Sequence, residues 1–286
     1  MIKSILSPID GSPDSFRAYS YSLILAAMFK ARVEVLFVVD QRKTQMPFMY
    51  AGGAYDMTYE RVYIPPDQEL RKLYERLKTD LYEFAERCKQ KCGEMNAGQD
   101  VEMNFYIKEG FPARIIEEHA HAVDMVVVGQ HGENEGLKQQ TAGSTTEEIV
   151  RNSPRPVVVV PKQFQKPEKV LFPYDGSRGS ENTLQYYTSN LSEYIPNLIF
   201  LCAECTTEDK SVYNNEVNYL RQYKADVKVI QDEEPPIQAI DRVVEKEQPD
   251  LIMVGSHGRH KLVDYLLGST TIHIIRKSTI PVLVIY

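Results

Sequence analysis

The stretch GSTTEEIVRNSPRPVVVV at residues 143–160 returns as GSTTIHIIRKSTIPVLVI at residues 268–285. Two further pairs of matching blocks precede it: SPIDGS at 7–12 with FPYDGS at 172–177, and DMVVVGQHG at 124–132 with DLIMVGSHG at 250–258. Because all three blocks recur in the same order, the sequence indicates a duplicated domain rather than a repeated short motif. We predict one domain over residues 1–162 and a second over residues 168–286, joined by the short polar segment QFQKPE at 163–168.

Each copy alternates short apolar runs with helical periodicity. Runs such as MVVVG at 125–129 and PVVVV at 156–160 are rich in β-branched residues and typical of strands covered on both faces. The second copy repeats the order with VLFPY, NLIFLCA, VKVIQ, LIMVG and PVLVI. Alternating strands and helices predict an α/β fold of two tandem doubly wound domains, each a five-stranded, mainly parallel, Rossmann-like sheet.

Two helical segments of the first copy carry further predictions. Residues 68–92 are amphipathic, with the stripe Leu70, Leu73, Leu77, Leu81 and Phe84 on one side, and Pro112 marks the first residue of a later helix. The stretch 41–67 has no counterpart of similar length in the second copy. A loop of this length is usually functional or part of an interface.

Composition narrows the classes of partner and the cellular location. The 286 residues carry a net charge of −7 and a pI near 5.5, which argues against a broad surface for nucleic acid or anionic membrane. No apolar run approaches the roughly 18 to 20 residues that span a bilayer. Pro8 and Asp10 interrupt the apolar start, unlike a signal peptide. We therefore expect a cytoplasmic protein with neither nucleic-acid nor membrane partners.

The four cysteines do not form a disulfide framework in a chain of this length. Cys88 and Cys92 have helical spacing, whereas Cys202 and Cys205 form a CxxC at the end of a predicted strand. No second CxxC or nearby HxxxH completes a zinc set. We expect reduced, mostly buried thiols and no metal site.

The candidate site lies in the second copy, since ligands of open parallel sheets bind beyond the carboxyl ends of the strands. Three segments fall there: Pro173 to Ser177, Gly255 to Gly258, and Gly268 to Thr270. The glycines allow close backbone approach to a ligand, and Ser269 is predicted to cap a helix whose N-terminus favours an anion. Asp175 is placed to bind a ribose hydroxyl or an adenine amino group, and the run Arg259-His260-Lys261 to offset phosphate charge.

The spacing Gly255-x2-Gly258-x9-Gly268-Ser269 resembles the ATP-binding signature of the universal stress protein family. Both copies share the DGS start and the GS helix that leads into a final PV strand, so the resemblance covers nearly the whole chain. The chain resembles the tandem members of this family, in which two domains of one chain pair as two subunits do in single-domain relatives. The resemblance implies an adenine nucleotide alpha hydrolase-like fold, binding of ATP (or AMP or ADP) with Mg²⁺, a role in stress survival, and little or no committed catalysis.

The resemblance also implies the nucleotide-contacting positions. In the second copy they are Pro173, Asp175, the backbone around Cys202, Val254, Gly255, His257, Gly258, Arg259, Gly268, Ser269 and Thr270. The corresponding, weaker candidates in the first copy are Pro8, Asp10, Val38, Val128, Gly129, Gly132, Gly143, Ser144 and Thr145.

The first copy departs from the signature in two ways. Its spacing, Gly129-x2-Gly132-x10-Gly143, is one residue longer, and its loop begins Glu133-Asn134-Glu135. Two carboxylates beside a phosphate site weaken ATP binding by repulsion at short range, and Lys138 compensates only in part. We therefore predict unequal sites, with ATP bound by the second copy.

Several alternatives stay open. Asp10 and Asp175 are also typical of residues that cap a turn, and Ser144 and Ser269 of ordinary helix caps. His131 and His257 match between the copies, but no partner for acid–base catalysis accompanies them, and we predict no catalytic residue. The alternatives to nucleotide binding are an interaction module that has lost its ligand, or a slow ATPase; no GxxxxGK[ST] loop is present. The halves form a pseudo-dimer within the chain, or two chains pair further as a homodimer.

Overall fold

The computed structural model describes residues 1–43, 67–131, 144–204, 213–223, 225–256 and 267–286. The predicted excursion at 41–67 lies almost entirely outside these ranges. In the first half the elements are β1 (Ser4–Ile9), α1 (Pro13–Phe29), β2 (Arg32–Asp40), α2 (Asp67–Asn96), β3 (Met103–Gly110), α3 (Pro112–Ala120), β4 (Met125–Gly129), α4 (Ser144–Asn152) and β5 (Val157–Val160). In the second half they are β6 (Lys169–Pro173), α5 (Arg178–Asn190), β7 (Asn197–Ala203), α6 (Asn214–Gln222), β8 (Asp226–Asp232), α7 (Pro236–Glu247), β9 (Leu251–Gly255), α8 (Ser269–Lys277) and β10 (Val282–Ile285).

The described strands form a single ten-stranded sheet in the order β3-β2-β1-β4-β5-β10-β9-β6-β7-β8. Every neighbouring pair among them is parallel except β5 and β10, which are antiparallel with Val158 opposite Leu283. Each half therefore has five strands, with its first strand between its second and fourth. The predicted fold class, two tandem doubly wound α/β units, is confirmed.

Two apolar cores lie on opposite faces of the sheet. One holds buried side chains of α1, α2, α5 and α6, and the other holds those of α3, α4, α7 and α8. The central strands are buried throughout because both faces are covered: all five residues of β4 and all four of β5 and β10 are buried. This explains why their sequences are continuous apolar runs rather than alternating ones.

The helix predictions hold with one exception in packing. Pro112 is the first residue of α3, as predicted. In α2, Leu81 and Phe84 of the predicted stripe pack against the core, but Leu73 is 46% exposed. The amphipathic stripe thus marks the packed face only in the later turns of α2. Of the helices described, none combines the length and apolar character required to cross a membrane.

The cysteine predictions are confirmed for one helix and wrong at one strand. Cys88 and Cys92 on α2 are buried thiols that form no disulfide, and burial raises the pKa of the Cys92 thiol to about 12. Cys202 at the end of β7 is disulfide-bonded, which corrects the expectation of a reduced thiol there. A CxxC spacing keeps two cysteines within reach of a disulfide, and Cys205 lies outside the described residues.

Polar contacts tie the two halves together beside the β5–β10 pair. The Gln130 side chain, which follows β4, donates from Nε2 to the carbonyl oxygens of Ile275 at 2.9 Å and Ser278 at 3.2 Å. Arg276 on α8 donates to both carboxylate oxygens of Glu147 on α4, at 2.6 and 2.9 Å. The C-terminal end of α8 is thus fixed to the first half by side chains of β4 and α4.

We expect Gln130→Leu to lower the free energy of unfolding by about 1 to 3 kcal/mol, because two carbonyl oxygens lose a buried donor. Urea unfolding of the full chain measures the change. Gln90→Leu is the control, since Gln90 is exposed and donates to Glu94 one turn along α2. Equal stabilities of the two variants would contradict this role of Gln130.

Candidate functional site

The DGS turns after β1 and β6 have the same hydrogen bonds. Asp10 Oδ1 accepts from Ser12 N, and Asp175 Oδ1 accepts from Ser177 N, both at 2.9 Å. Between them Gly11 and Gly176 adopt φ values of +87° and +70°, which glycine reaches without steric cost. The turn-capping alternative is therefore confirmed for both aspartates, and contact with a ligand stays a prediction.

The glycines that close β4 and β9 are required by packing. A Cβ on Gly129 would lie 2.9 Å from the carbonyl carbon of Asp14, and one on Gly255 would lie 2.6 Å from that of Gly179. These distances are too short for a side chain, so each glycine lets the first turn of the neighbouring helix, α1 or α5, pack against the strand end. This packing role adds to the close approach to a ligand that the glycines were predicted to allow.

The N-terminus of α8 differs from the prediction. Its N-cap is Gly268, with φ −59° and ψ 144°, and Ser269 is already the first helical residue. The prediction of Ser269 as the cap is wrong because the Gly268 carbonyl accepts from Ile272 N at 2.9 Å, the bond that starts the helical ladder. Among the described residues no side chain caps this helix, in contrast to α1 and α5, whose first turns are capped by Ser12 and Ser177.

Equivalent threonines hold the last helix of each half beside its glycine strand. Thr271 Oγ1 donates to the carbonyl oxygen of Gly255, and Thr146 Oγ1 donates to that of Gly129, both at 2.9 Å. In the second half Gly268 N also donates to the Ser256 carbonyl at 3.0 Å. The uncapped N-terminus of α8 is thereby fixed at the carboxyl end of β9.

In the second half the described candidates surround the carboxyl ends of β6 and β9. Pro173 ends β6 and Asp175 follows it, Val254 and Gly255 end β9, and Gly268, Ser269 and Thr270 open α8. The remaining predicted contacts in this loop, His257, Gly258 and Arg259, lie outside the described residues.

The strand register changes one of the matched positions. Pro8 lies opposite Leu36, and Pro173 lies opposite Leu201. Val38 therefore corresponds to Ala203 and not to Cys202, whose side chain is buried in the core on the α5 face. The predicted equivalence of Cys202 with Val38 is therefore wrong by one residue.

A cavity of about 190 Å³ lies at the carboxyl ends of β1, β2 and β4 in the first half. Six of the weaker candidates line it: Pro8, Asp10, Val38, Val128, Gly129 and Thr145. The side chain of Ser144, together with Gly132 and Gly143, lies outside the described residues. The structure thus gathers the first-half positions at the switch in strand order.

Some residues that line the cavity were not predicted from the sequence. Leu81 and Phe84 of α2 close one side, and the acidic and basic residues Asp40, Arg42 and Lys43 lie at the end of β2. The Arg42 guanidinium donates to both oxygens of Asp40 at 2.7 to 3.0 Å. The predicted amphipathic stripe on α2 includes Leu81 and Phe84 and could have indicated them. No pattern in the sequence indicated the ion pair of Arg42 with Asp40.

A buried carboxylate also lies beside the first-half glycine motif. Asp14 Oδ2 is 3.2 Å from His131 Nδ1, with the two side chains 12% and 19% exposed, and Arg17 contacts the other Asp14 oxygen. At the position of Asp14 the second copy has Gly179. Alignment of the two copies would have revealed this difference; Arg17, which pairs with Asp14, likewise has an uncharged counterpart, Asn182, in the second copy.

In the described ranges, no three His, Cys, Asp or Glu side chains are arranged to hold a metal ion. The prediction that the protein has no metal site of its own stays a prediction.

Comparison with known proteins gives consistent matches along the chain. The model of the universal stress protein family matches residues 1–161 and 203–285. The universal stress protein Slr1230 of Synechocystis is 27% identical over 288 residues, which cover 99% of each chain, and MJ0531 of Methanocaldococcus jannaschii is 30% identical over 57% of this chain and 84% of its own. The crystal structure of a universal stress protein from Archaeoglobus fulgidus superposes with a TM-score of 0.75 at 19% identity, covering 98% of this chain and 97% of that one. This last likeness shows the shared fold.

We expect Gly255→Ala and Gly129→Ala each to lower the free energy of unfolding by about 1 to 3 kcal/mol, because the added methyl meets helix backbone. Urea unfolding without ligand measures the change. Gly93→Ala on α2 is the control, since its Cβ would meet open space. Wild-type stability of both strand variants would show that these glycines are not needed for packing.

Proposed function

Because this chain belongs to the universal stress protein family, we propose that its second half binds an adenine nucleotide. ATP is the preferred ligand, AMP and ADP bind at the same site, and Mg²⁺ arrives with the triphosphate. The nucleotide makes the protein a responsive regulatory factor of the cytoplasm under stress. Its protein partner is not specified by the site.

The uncapped N-terminus of α8 is the observation that carries this proposal. The first N–H groups of a helix have no intrahelical partner and favour a bound anion. At α8 no side chain in the described part of the chain takes that role, and the bonds from Gly268 N and Thr271 hold this end beside Gly255. Phosphate groups would bind there, with the base and ribose toward Pro173 and Asp175.

Charge favours the second half over the first. Its loop sequence carries Arg259 and Lys261, where the first copy has Glu133 and Glu135. Repulsion from the first-copy carboxylates Glu133 and Glu135 weakens the binding of a polyphosphate. We infer that the first-half cavity binds ATP weakly or serves structure.

The proposal assigns binding rather than committed catalysis. No catalytic residue is assigned in either half, and any hydrolysis of ATP is slow. Rapid turnover of ATP by the purified protein would instead make it an ATPase.

An interaction module without nucleotide is the second candidate. It is favoured by the turns at Asp10 and Asp175 and by the packing of Gly129 and Gly255, because each of these motif residues has a structural role without a ligand. Such a module acts through its surfaces, as the pseudo-dimer or as a homodimer of chains.

We expect Ser269→Glu to abolish nucleotide binding and Ser144→Glu to preserve it. A carboxylate in the first turn of a helix is favourable for folding, so the loss reports repulsion of phosphate and not unfolding. The nucleotide carried by freshly purified protein is released by denaturation and quantified by chromatography. A thermal shift with ATP and Mg²⁺ provides the second readout.

Near-stoichiometric adenine nucleotide in the wild type and in Ser144→Glu, but not in Ser269→Glu, supports the proposal. If neither nucleotide nor a thermal shift is found in the wild type, the interaction module is the better account. Equal losses in the two variants would contradict the assignment to the second half.

A further inference from the structure

Equivalent hydrogen bonds lie at the two ends of the β5–β10 pair, the seam that joins the halves. Asp124, just before β4, accepts from the backbone N–H groups of Lys3 and Ser4 at 2.8 and 3.0 Å. Its counterpart Asp250, just before β9, accepts from those of Glu168 and Lys169 at 3.1 and 2.9 Å. These matched bonds fix an equivalent aspartate at each end of the β5–β10 pair.

A tyrosine accompanies each aspartate. Tyr21 on α1 and Tyr186 on α5 occupy equivalent positions, eleven residues after Asp10 and Asp175 in both copies. Each hydroxyl is buried without a hydrogen-bond partner among the described residues. Burial and the nearby carboxylate, Asp250 or Asp124, raise the pKa of each tyrosine.

At the Tyr21 end, the segment that joins the halves fills the space over this pair. The Phe164 ring packs edge-on against Tyr21, with the ring centroids 5.4 Å apart and the planes at 75°. The next residue, Gln165, donates from Nε2 to Asp250 Oδ1. Tyr21 is fully buried as a result.

At the Tyr186 end, the equivalent space is a cavity of about 480 Å³. We call it the seam cavity; its lining includes Asp124, Gln185, Tyr186, Asn190 and Tyr286. Tyr186 is only partly buried there, whereas its counterpart is enclosed. The aromatic and carboxylate groups that Phe164 and Gln165 contact at one end thus line an open space at the other.

We infer that the seam cavity is a docking site for an extended peptide of a partner protein that presents an aromatic residue followed by glutamine or asparagine. The aromatic ring packs edge-on against Tyr186, as Phe164 does against Tyr21. The side-chain amide donates to Asp124, as Gln165 does to Asp250. This site is separate from the proposed nucleotide site.

The probe is a fluorescent peptide with the sequence of residues 162–168, KQFQKPE, titrated with the full chain and followed by anisotropy. We expect saturable binding, weakened at least about tenfold when the peptide phenylalanine is replaced by alanine, since an aromatic pair and its buried area are lost. Absence of saturable binding, or equal binding of both peptides, would overturn the proposal.

Two matched protein variants locate the binding. Gln185→Trp fills the seam cavity, and Ser20→Trp places the same side chain at the equivalent position of the filled end. Binding must be lost in Gln185→Trp and kept in Ser20→Trp, with thermal unfolding showing that both are folded. The opposite pattern would mean that the peptide displaces residues 162–168 from their own place.

Sedimentation velocity of the wild type and Gln185→Trp tests another occupant. We expect the same oligomeric state in both. Loss of self-association in Gln185→Trp would assign the seam cavity to a second copy of the chain and overturn the peptide proposal.

Discussion

The antiparallel pairing of β5 with β10 joins two parallel sheets into one. The pair runs from Val157 to Val159 opposite Val284 to Val282, and both strands are fully buried. Each of these strands would otherwise be an open edge with unpaired backbone groups, which invites association with other chains. Because the two edges satisfy each other, the helices at the joint, α4 and α8, meet above them and supply the contacts of Glu147 with Arg276. This one pairing therefore sets how the two halves, each with its own switch in strand order, are joined.

Much of the fold could be predicted because local composition identifies the segments that form strands. The bounds of β4, β7 and β9 agree with the predicted runs, since apolar segments between turns leave little ambiguity. Details that depend on hydrogen bonds between distant segments were harder. The cap of α8 is Gly268 and not Ser269, because the Gly268 carbonyl accepts the first helical hydrogen bond. Val38 corresponds to Ala203 and not to Cys202, because the register is fixed by the neighbouring strand. The contact of Asp14 with His131 was missed because the two residues meet only in the folded chain.

The motif residues have two kinds of explanation that coexist. Gly129, Gly255, Asp10 and Asp175 are each accounted for by packing or by a turn. Such roles also prepare a ligand site, because a helix that packs closely against a strand end fixes the backbone groups around it. In the second half the cap of α8 is a glycine, and the first half adds the buried ion pair of Asp14 with Arg17. Sequence identity between the copies therefore conceals different local electrostatics.

The antiparallel joint also sets the direction of the two halves. Strands of the first half run opposite to those of the second, so their carboxyl ends lie along opposite edges of the ten-stranded sheet. Helix α8 connects these edges: it begins at Ser269 and ends where Ile275 and Ser278 receive the Gln130 side chain of the other half. Nine residues of helix span about 13 Å. A shift of α8 along its axis at one edge of the sheet would therefore also displace the residues that α8 contacts at the opposite edge.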